Sequence, residues 1–148
     1  MAATKTQDID ATTEQVRMLH EAGAGLVRIA VDSTKDVECL TEIRNRVPEA
    51  NLVVDLQENY RLVEAVAPIV DKVRYNPGHL YHHEKNKTAR EKVAFIIGHA
   101  EKNDCAVRIG VNCGSVDPEA AAKFEGADEP GLEGVTAMVE SAIEHAAM

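Results

Sequence analysis

The chain is short of aromatic residues, of basic charge, of cysteine and of long apolar runs. Only 3% of its 148 residues are aromatic and none is tryptophan. No apolar stretch approaches the roughly 18 residues of a membrane-spanning helix, and the opening Met1-Ala2-Ala3-Thr4-Lys5 has no signal-peptide core. Neither insertion nor secretion is therefore expected, and a cytoplasmic location follows as the default. Sixteen Lys and Arg stand against 25 Asp and Glu, a formal charge of −9. Nucleic acid and anionic membrane surfaces need clustered cations to neutralise phosphate, so neither is an expected partner. The three cysteines, Cys39, Cys105 and Cys113, are odd in number and include no C-x-x-C pair. That excludes a disulfide framework and gives no complete metal site, which leaves buried thiols as the plain reading.

What the chain does have is apolar content for about one core, 45% of its residues. It is organised around Ala106-Val107-Arg108-Ile109-Gly110-Val111-Asn112-Cys113-Gly114-Ser115. Side chains alternate along a strand, so Arg108, Gly110 and Asn112 share one face while Val107, Ile109 and Val111 share the other. Three further runs repeat the pattern. Arg28 and Ala30 oppose Val27, Ile29 and Val31; Asp55 and Gln57 share a face of the 52–57 run; Arg74 and Asn76 share a face of the 72–78 run.

Helical periodicity fills the intervals. A helix is predicted over 8–22, with Asp8, Asp10 and Thr12 as candidate caps and Gly23 and Gly25 as stops. A second follows Ser33 or Thr34, carries Val37, Leu40, Ile43 and Val47, and closes at Pro48. A short helix spans Asn59 to about Val66, with Pro68 past its end. Residues 88–102 present Val93, Ile96, Ile97 and Ala100 as one stripe. A loop over 114–131 leads to a last helix whose Val135, Met138, Val139, Ala142, Ile143 and Ala146 form its apolar face.

Four parallel strands, 26–31, 52–56, 72–76 and 106–112, alternating with about five helices, predict an α/β fold with right-handed crossovers. An open doubly wound sheet would bury Arg28, Arg74 and Arg108 under helices, and an unpaired buried charge costs several kcal/mol, roughly 3–5 when a partner is missing. In a barrel the same residues face inward near the mouth, where an anion could meet them. A (β/α)₈ barrel needs about 250 residues. The expectation is therefore a partial TIM barrel over 1–148, lacking its first strand and its last units. Three arginines on one face suit a multiply charged ligand, since guanidinium forks match phosphate oxygens. Pairing with an inward carboxylate such as Asp55 is the alternative, and the residues alone leave the two readings level.

The blocks 1–12, 26–31, Asp71-Lys72-Val73-Arg74-Tyr75-Asn76-Pro77-Gly78 and Val107–Ser115 resemble, in order and spacing, the TIM-barrel domain of 4-hydroxy-3-methylbut-2-enyl diphosphate synthases. R-x-N-P-G and R-I-G-V-N-x-G-S are long signatures that occur together. The resemblance implies an oxidoreductase of the non-mevalonate isoprenoid pathway. Its reaction is the reductive ring opening of 2-C-methyl-D-erythritol 2,4-cyclodiphosphate, with electrons from ferredoxin or flavodoxin through a [4Fe-4S] cluster in a separate C-terminal domain. It also implies a homodimer at full length. Carried over by position, Arg28, Arg74, Arg108 and Asn112 hold the diphosphate, with Asp55, Gln57 and Asn76 beside them. No catalytic residue is assigned.

Two positions depart from the family. Gln57 stands where an Asp-Ile-His segment usually has its imidazole, so a carboxamide that cannot titrate replaces a group that can. His79 stands where an Asn usually follows N-P-G. With His82 and His83 it lacks a fourth ligand at structural-site spacing, and the three are read as solvated rather than metal-binding. None of the cysteines falls in a cluster motif, so this chain alone is expected to be inactive. Two other readings stay open: another phosphate-binding barrel, such as a pterin synthase-like enzyme, and a non-catalytic fragment, which Gln57 would suit.

Overall fold

In the computed structural model, which describes residues 2–126, 132 and 134–148, four parallel strands form one sheet in the order β1-β2-β3-β4. They are β1 (Val27–Val31), β2 (Leu52–Leu56), β3 (Lys72–Tyr75) and β4 (Ala106–Ile109). The helices are α1 (Ile9–Glu21), α2 (Thr34–Arg46), α3 (Val63–Val66), α4 (Ala89–Lys102), α5 (Pro118–Lys123) and α6 (Val135–Ala146). This is the α/β arrangement of a partial barrel.

Local chemistry sets the helix starts. Ser33 and Asp36 cap α2 reciprocally, as Thr88 and Glu91 cap α4, and each box satisfies two amides that have no partner within the helix. The core lies between the helices and one face of the sheet. Val27, Ile29, Val31, Val54, Val73 and Tyr75 meet Val16, Leu40, Ile43, Val93 and Ile96 there, all at most 1% exposed. On the other face, Arg28 and Ala30 in β1 and Lys72 and Arg74 in β3 are only partly covered, and Ala106 and Arg108 in β4 are exposed. Val53 and Asp55 of β2 are buried on that face, but the rest of it is open, as in a barrel wall rather than an open sheet with helices on both sides.

Several elements differ from expectation. The fourth strand ends at Ile109 rather than 112. Gly110 still donates to the Tyr75 carbonyl at 2.8 Å, but Asn112 then turns the chain, its side chain accepting from the Gly114 amide and its carbonyl from that of Ser115, both at 3.0 Å. The stretch 59–66 is a turn of 3₁₀ helix, then α3, then a second 3₁₀ turn, Ala67–Ile69, that includes Pro68. The loop expected over 114–131 contains α5, started by Pro118 and capped by Asp117; residues 127–131 of that loop lie outside the described ones. Ile97, placed in the stripe of α4, is 42% exposed.

In α6, on the apolar face read from its periodicity, Val135, Val139 and Ile143 are 39%, 51% and 56% exposed, while Ala137, Ser141 and His145 are buried. Small and polar groups suit the inner side because a specific contact awaits them: the Tyr75 hydroxyl lies 3.3 Å from His145 Nδ1, and Asp117 lies 3.7 Å from Nε2. Tyr81 also donates to Asp117, at 2.7 Å, so α6, the start of α5 and the segment after β3 are tied together.

Candidate functional site

Register places the polar side chains in layers. Ala30, Asp55, Arg74 and Arg108 stand side by side across the four strands, and Arg28, Val53, Lys72 and Ala106 form the row below. Neighbouring Arg74 and Arg108 carry like charge, which is unfavourable between directly paired positions. Arg74 resolves this by turning to the other side. One of its terminal nitrogens reaches both carboxylate oxygens of Asp55, at 2.6 and 2.8 Å. Arg28 approaches the same carboxylate at 3.7 Å. Asp55 is buried, so it would be costly there without its cations.

Arg108 has no such partner. It is exposed on β4 and makes no ion pair among the described residues. Together Leu26, Arg28, Val53, Lys72, Arg74 and Arg108 line a hollow of about 240 Å³ with one aliphatic wall and four cationic side chains. The two readings of the arginines thus divide by residue. Arg74 is paired with Asp55 at hydrogen-bonding distance, Arg28 approaches the same carboxylate at 3.7 Å, and Arg108 is exposed with no ion pair among the described residues.

Closeness to the backbone explains two of the signature glycines. A Cβ on Gly110 would lie 2.3 Å from the Arg74 guanidinium, so the missing side chain is the bed on which that group rests. A Cβ on Gly78 would lie 2.6 Å from the Val116 carbonyl oxygen, and the Gly78 amide donates to Ser115 at 3.0 Å. R-x-N-P-G and R-I-G-V-N-x-G-S therefore interlock at Gly78 and Gly110. Asn76 and Ser115 are buried at this junction, and neither Asn76 Oδ1 nor Ser115 Oγ has a hydrogen-bond partner among the described residues.

The remaining expected residues sit toward the C-terminal ends of the strands. Gln57 does not reach the arginines; with its amide oriented to donate, it bonds Asp32 at 3.0 and 3.2 Å. Asn112 is exposed and holds its own turn. Sequence reasoning missed Asp32, whose carboxyl is raised above the ordinary range by burial and by Asp36, Glu58 and Asp55, against a smaller opposing effect of His79. Its signal was available, since Asp32 continues the alternation of Arg28 and Ala30. Burial also works to raise Asp36, but hydrogen bonds from Gln7, Ser33 and two backbone amides outweigh it and hold that group low. The rim is thus acidic beside β1 and β2, whereas the hollow beneath is cationic.

His79 and His82 stack, with ring centroids 5.5 Å apart, and His82 Nδ1 meets Glu58 at 2.5 Å. No group of three or more His, Cys, Asp or Glu side chains among the described residues is arranged to hold a metal. Cys39 is buried in α2, and Cys105 and Cys113 flank opposite ends of β4. These thiols do not fit an iron-sulfur cluster, which takes three or four cysteines brought together. No described helix is long and apolar enough to cross a membrane.

A parallel sheet with helices on one face and strand-borne cations on the other defines the class: this is part of a (β/α) barrel whose inner wall is polar. The family follows from comparison with known proteins. The GcpE TIM-barrel domain model matches residues 1–148, and the chain belongs to that family. It is 61% identical to the 4-hydroxy-3-methylbut-2-en-1-yl diphosphate synthase (flavodoxin) of Rhodopirellula baltica over 98% of its own length and 36% of that protein's. Proteins of the same name from Nitratiruptor sp. and Ruminiclostridium cellulolyticum are each 38% identical, over 98% and 100% of this chain and 37% and 38% of theirs. The chain thus spans little more than a third of the length of these curated relatives, 36–38%.

Proposed function

We propose that this chain is a substrate-binding wall of a 4-hydroxy-3-methylbut-2-en-1-yl diphosphate synthase. Its cationic hollow takes the diphosphate of 2-C-methyl-D-erythritol 2,4-cyclodiphosphate for reductive ring opening in isoprenoid synthesis. The observation that carries this reading is Arg108, exposed beside Arg74 on the polar face and without an ion pair among the described residues. In an acidic protein, that arrangement suits an anion arriving from outside.

Each residue then has a part. Arg108 grips phosphate through its fork, and Arg28 supplies a second cation on the same face. Arg74 stays on Asp55 and contributes field rather than contact, while Asn76 and Asn112 bound the upper end. The reaction consumes two electrons, which none of these side chains carries. A [4Fe-4S] cluster held elsewhere in a longer protein would supply them, charged by flavodoxin, the donor in the relatives' names, or by ferredoxin. A homodimer of the longer protein and a cytoplasmic location belong to the same reading.

Titration calorimetry of the chain with pyrophosphate tests the grip. Binding should weaken as salt rises, because screening shortens the reach of exposed charges to about 8–10 Å. Arg108→Lys should lose affinity several-fold, since an ammonium cannot reproduce the two-point contact. Equal affinity in the wild type and Arg108→Lys would overturn the assignment.

A further inference from the structure

On the substrate reading set out above, we infer that Lys72 is a further binding residue of the hollow and the one that sets its preference for charge. It favours a linear diphosphate monoester over a diphosphate esterified at both ends, as a cyclic one is. Lys72 opens β3 two residues before Arg74, so the two share the polar face, with Val53 and Ala106 beside Lys72 in register. It lines the hollow together with Arg28, Arg74 and Arg108. The side chain is half-buried, and its ammonium makes neither an ion pair nor a hydrogen bond among the described residues. Lys92, the buried lysine of α4, supplies the contrast. Its ammonium donates to the carbonyls of Leu80 and His83, the latter at 2.6 Å, and is satisfied within the protein.

The charge of the hollow gives Lys72 its task. Four cations line it, and the carboxylate that meets them is Asp55, held by Arg74 at 2.6 and 2.8 Å. The net excess is three positive charges. A cyclic diphosphate carries two negative charges, one on each phosphorus, because both phosphoryl groups are esterified. Ring opening breaks one carbon–oxygen bond, and its electron pair stays on the phosphoryl oxygen. The cyclic dianion takes up two electrons from the reductant named above and one proton, and yields water and the linear diphosphate of the relatives' names. That product carries a third charge above the second phosphate pKa of about 6. A guanidinium fork suits oxygens that are in place from the start, whereas an ammonium on a four-carbon stem is a mobile point charge that can follow a new one as it appears.

Calorimetry of the 148-residue chain at pH 8 tests this with methyl diphosphate, which carries three charges, and symmetric dimethyl diphosphate, which carries two. The wild type should bind the monoester several-fold more tightly. Lys72→Gln should bring the two ligands to about equal affinity by weakening the monoester, and Lys72→Arg should keep the preference. An unchanged ratio in Lys72→Gln overturns the inference. If Arg108→Lys still weakens both ligands in that case, Lys72 alone is struck and the substrate reading stands. A wild type that binds neither ligand overturns both. If Lys72→Gln does not fold, acetylation of the wild-type chain read by peptide mass spectrometry answers instead. Methyl diphosphate should protect the Lys72 amine several-fold more than the dimethyl ester does, with the exposed Lys35 of α2 as reference. Equal protection by the two overturns the inference.

Discussion

The guanidinium of Arg74 lies against the bare Cα of Gly110, so closely that a Cβ there would come within 2.3 Å of it. On its other side the same group holds Asp55 at 2.6 and 2.8 Å. One cation is thus fixed between a carboxylate on β2 and a glycine just past β4.

Gly110→Ala should expel Arg74 from that position and leave Asp55 buried with only the more distant Arg28. Overpacking of this kind costs about 1–3 kcal/mol. Thermal denaturation should reveal the loss, and calorimetry should find pyrophosphate affinity altered as well, because Arg74 neighbours Arg108 in register. An unshifted melt would mean that Arg74 rests elsewhere.

Gly78→Ala tests the second interlock. Its Cβ would meet the Val116 oxygen at 2.6 Å and Ser115 backbone atoms at 2.9 and 3.0 Å, with no flexible side chain to give way. The turn after β3 and the turn after β4 must then separate, and the Gly78 to Ser115 hydrogen bond goes with them. A destabilisation of about 1–3 kcal/mol is expected from chemical denaturation, as for other overpacked sites. Gly114→Ala is the control, since its Cβ would meet only the Asn112 side chain, at 3.5 Å.

His145 makes the docking of α6 depend on pH. Burial lowers its pKa below the ordinary 6.5, with Asp117 and Glu144 opposing in part. Tyr75, the facing group from β3, is pushed up to about 12 by burial and stays neutral. A histidine kept neutral by the fold binds fewer protons there than in the unfolded chain, so stability rises with pH between the two pKa values. Its contribution is complete above about pH 6.5, the unfolded value, and is lost as pH falls through the lower folded one. Melting temperatures from pH 8 to 5 should decline in the wild type, with a shallower decline in His145→Gln. Parallel curves would remove His145 as the cause.

The 148-residue chain alone should perform no reduction. Anaerobic treatment with iron and sulfide should leave no stoichiometric cluster absorbance, and reduced flavodoxin should drive no turnover. Cys105 and Cys113 lie beyond opposite ends of β4, and Cys39 is in α2. A cluster formed at one equivalent would show that thiols from outside these positions, or from a second chain, had been recruited.

The sequence by itself determined the four strands, their parallel order, the larger helices and the sharing of one face by Arg28, Asp55, Arg74 and Arg108. Each follows from local rules, the two-residue period of a strand and the capping chemistry of a helix, and needs no knowledge of distant partners. The signatures that carry the family were legible for the same reason: they are contiguous. Tertiary structure alone decided which arginine Asp55 holds. Asp55 can satisfy only the cations that the register brings beside it, and that register couples positions 19 to 78 residues apart, from Asp55–Arg74 to Ala30–Arg108 through the intervening strands. It also decided that Gln57 turns to Asp32 rather than to the arginines. The orientation of α6 was also left to the tertiary structure, because periodicity identifies an apolar face without saying what that face meets. His145 found Tyr75 and Asp117, a buried polar contact, and Val135, Val139 and Ile143 stand on the exposed side of the helix.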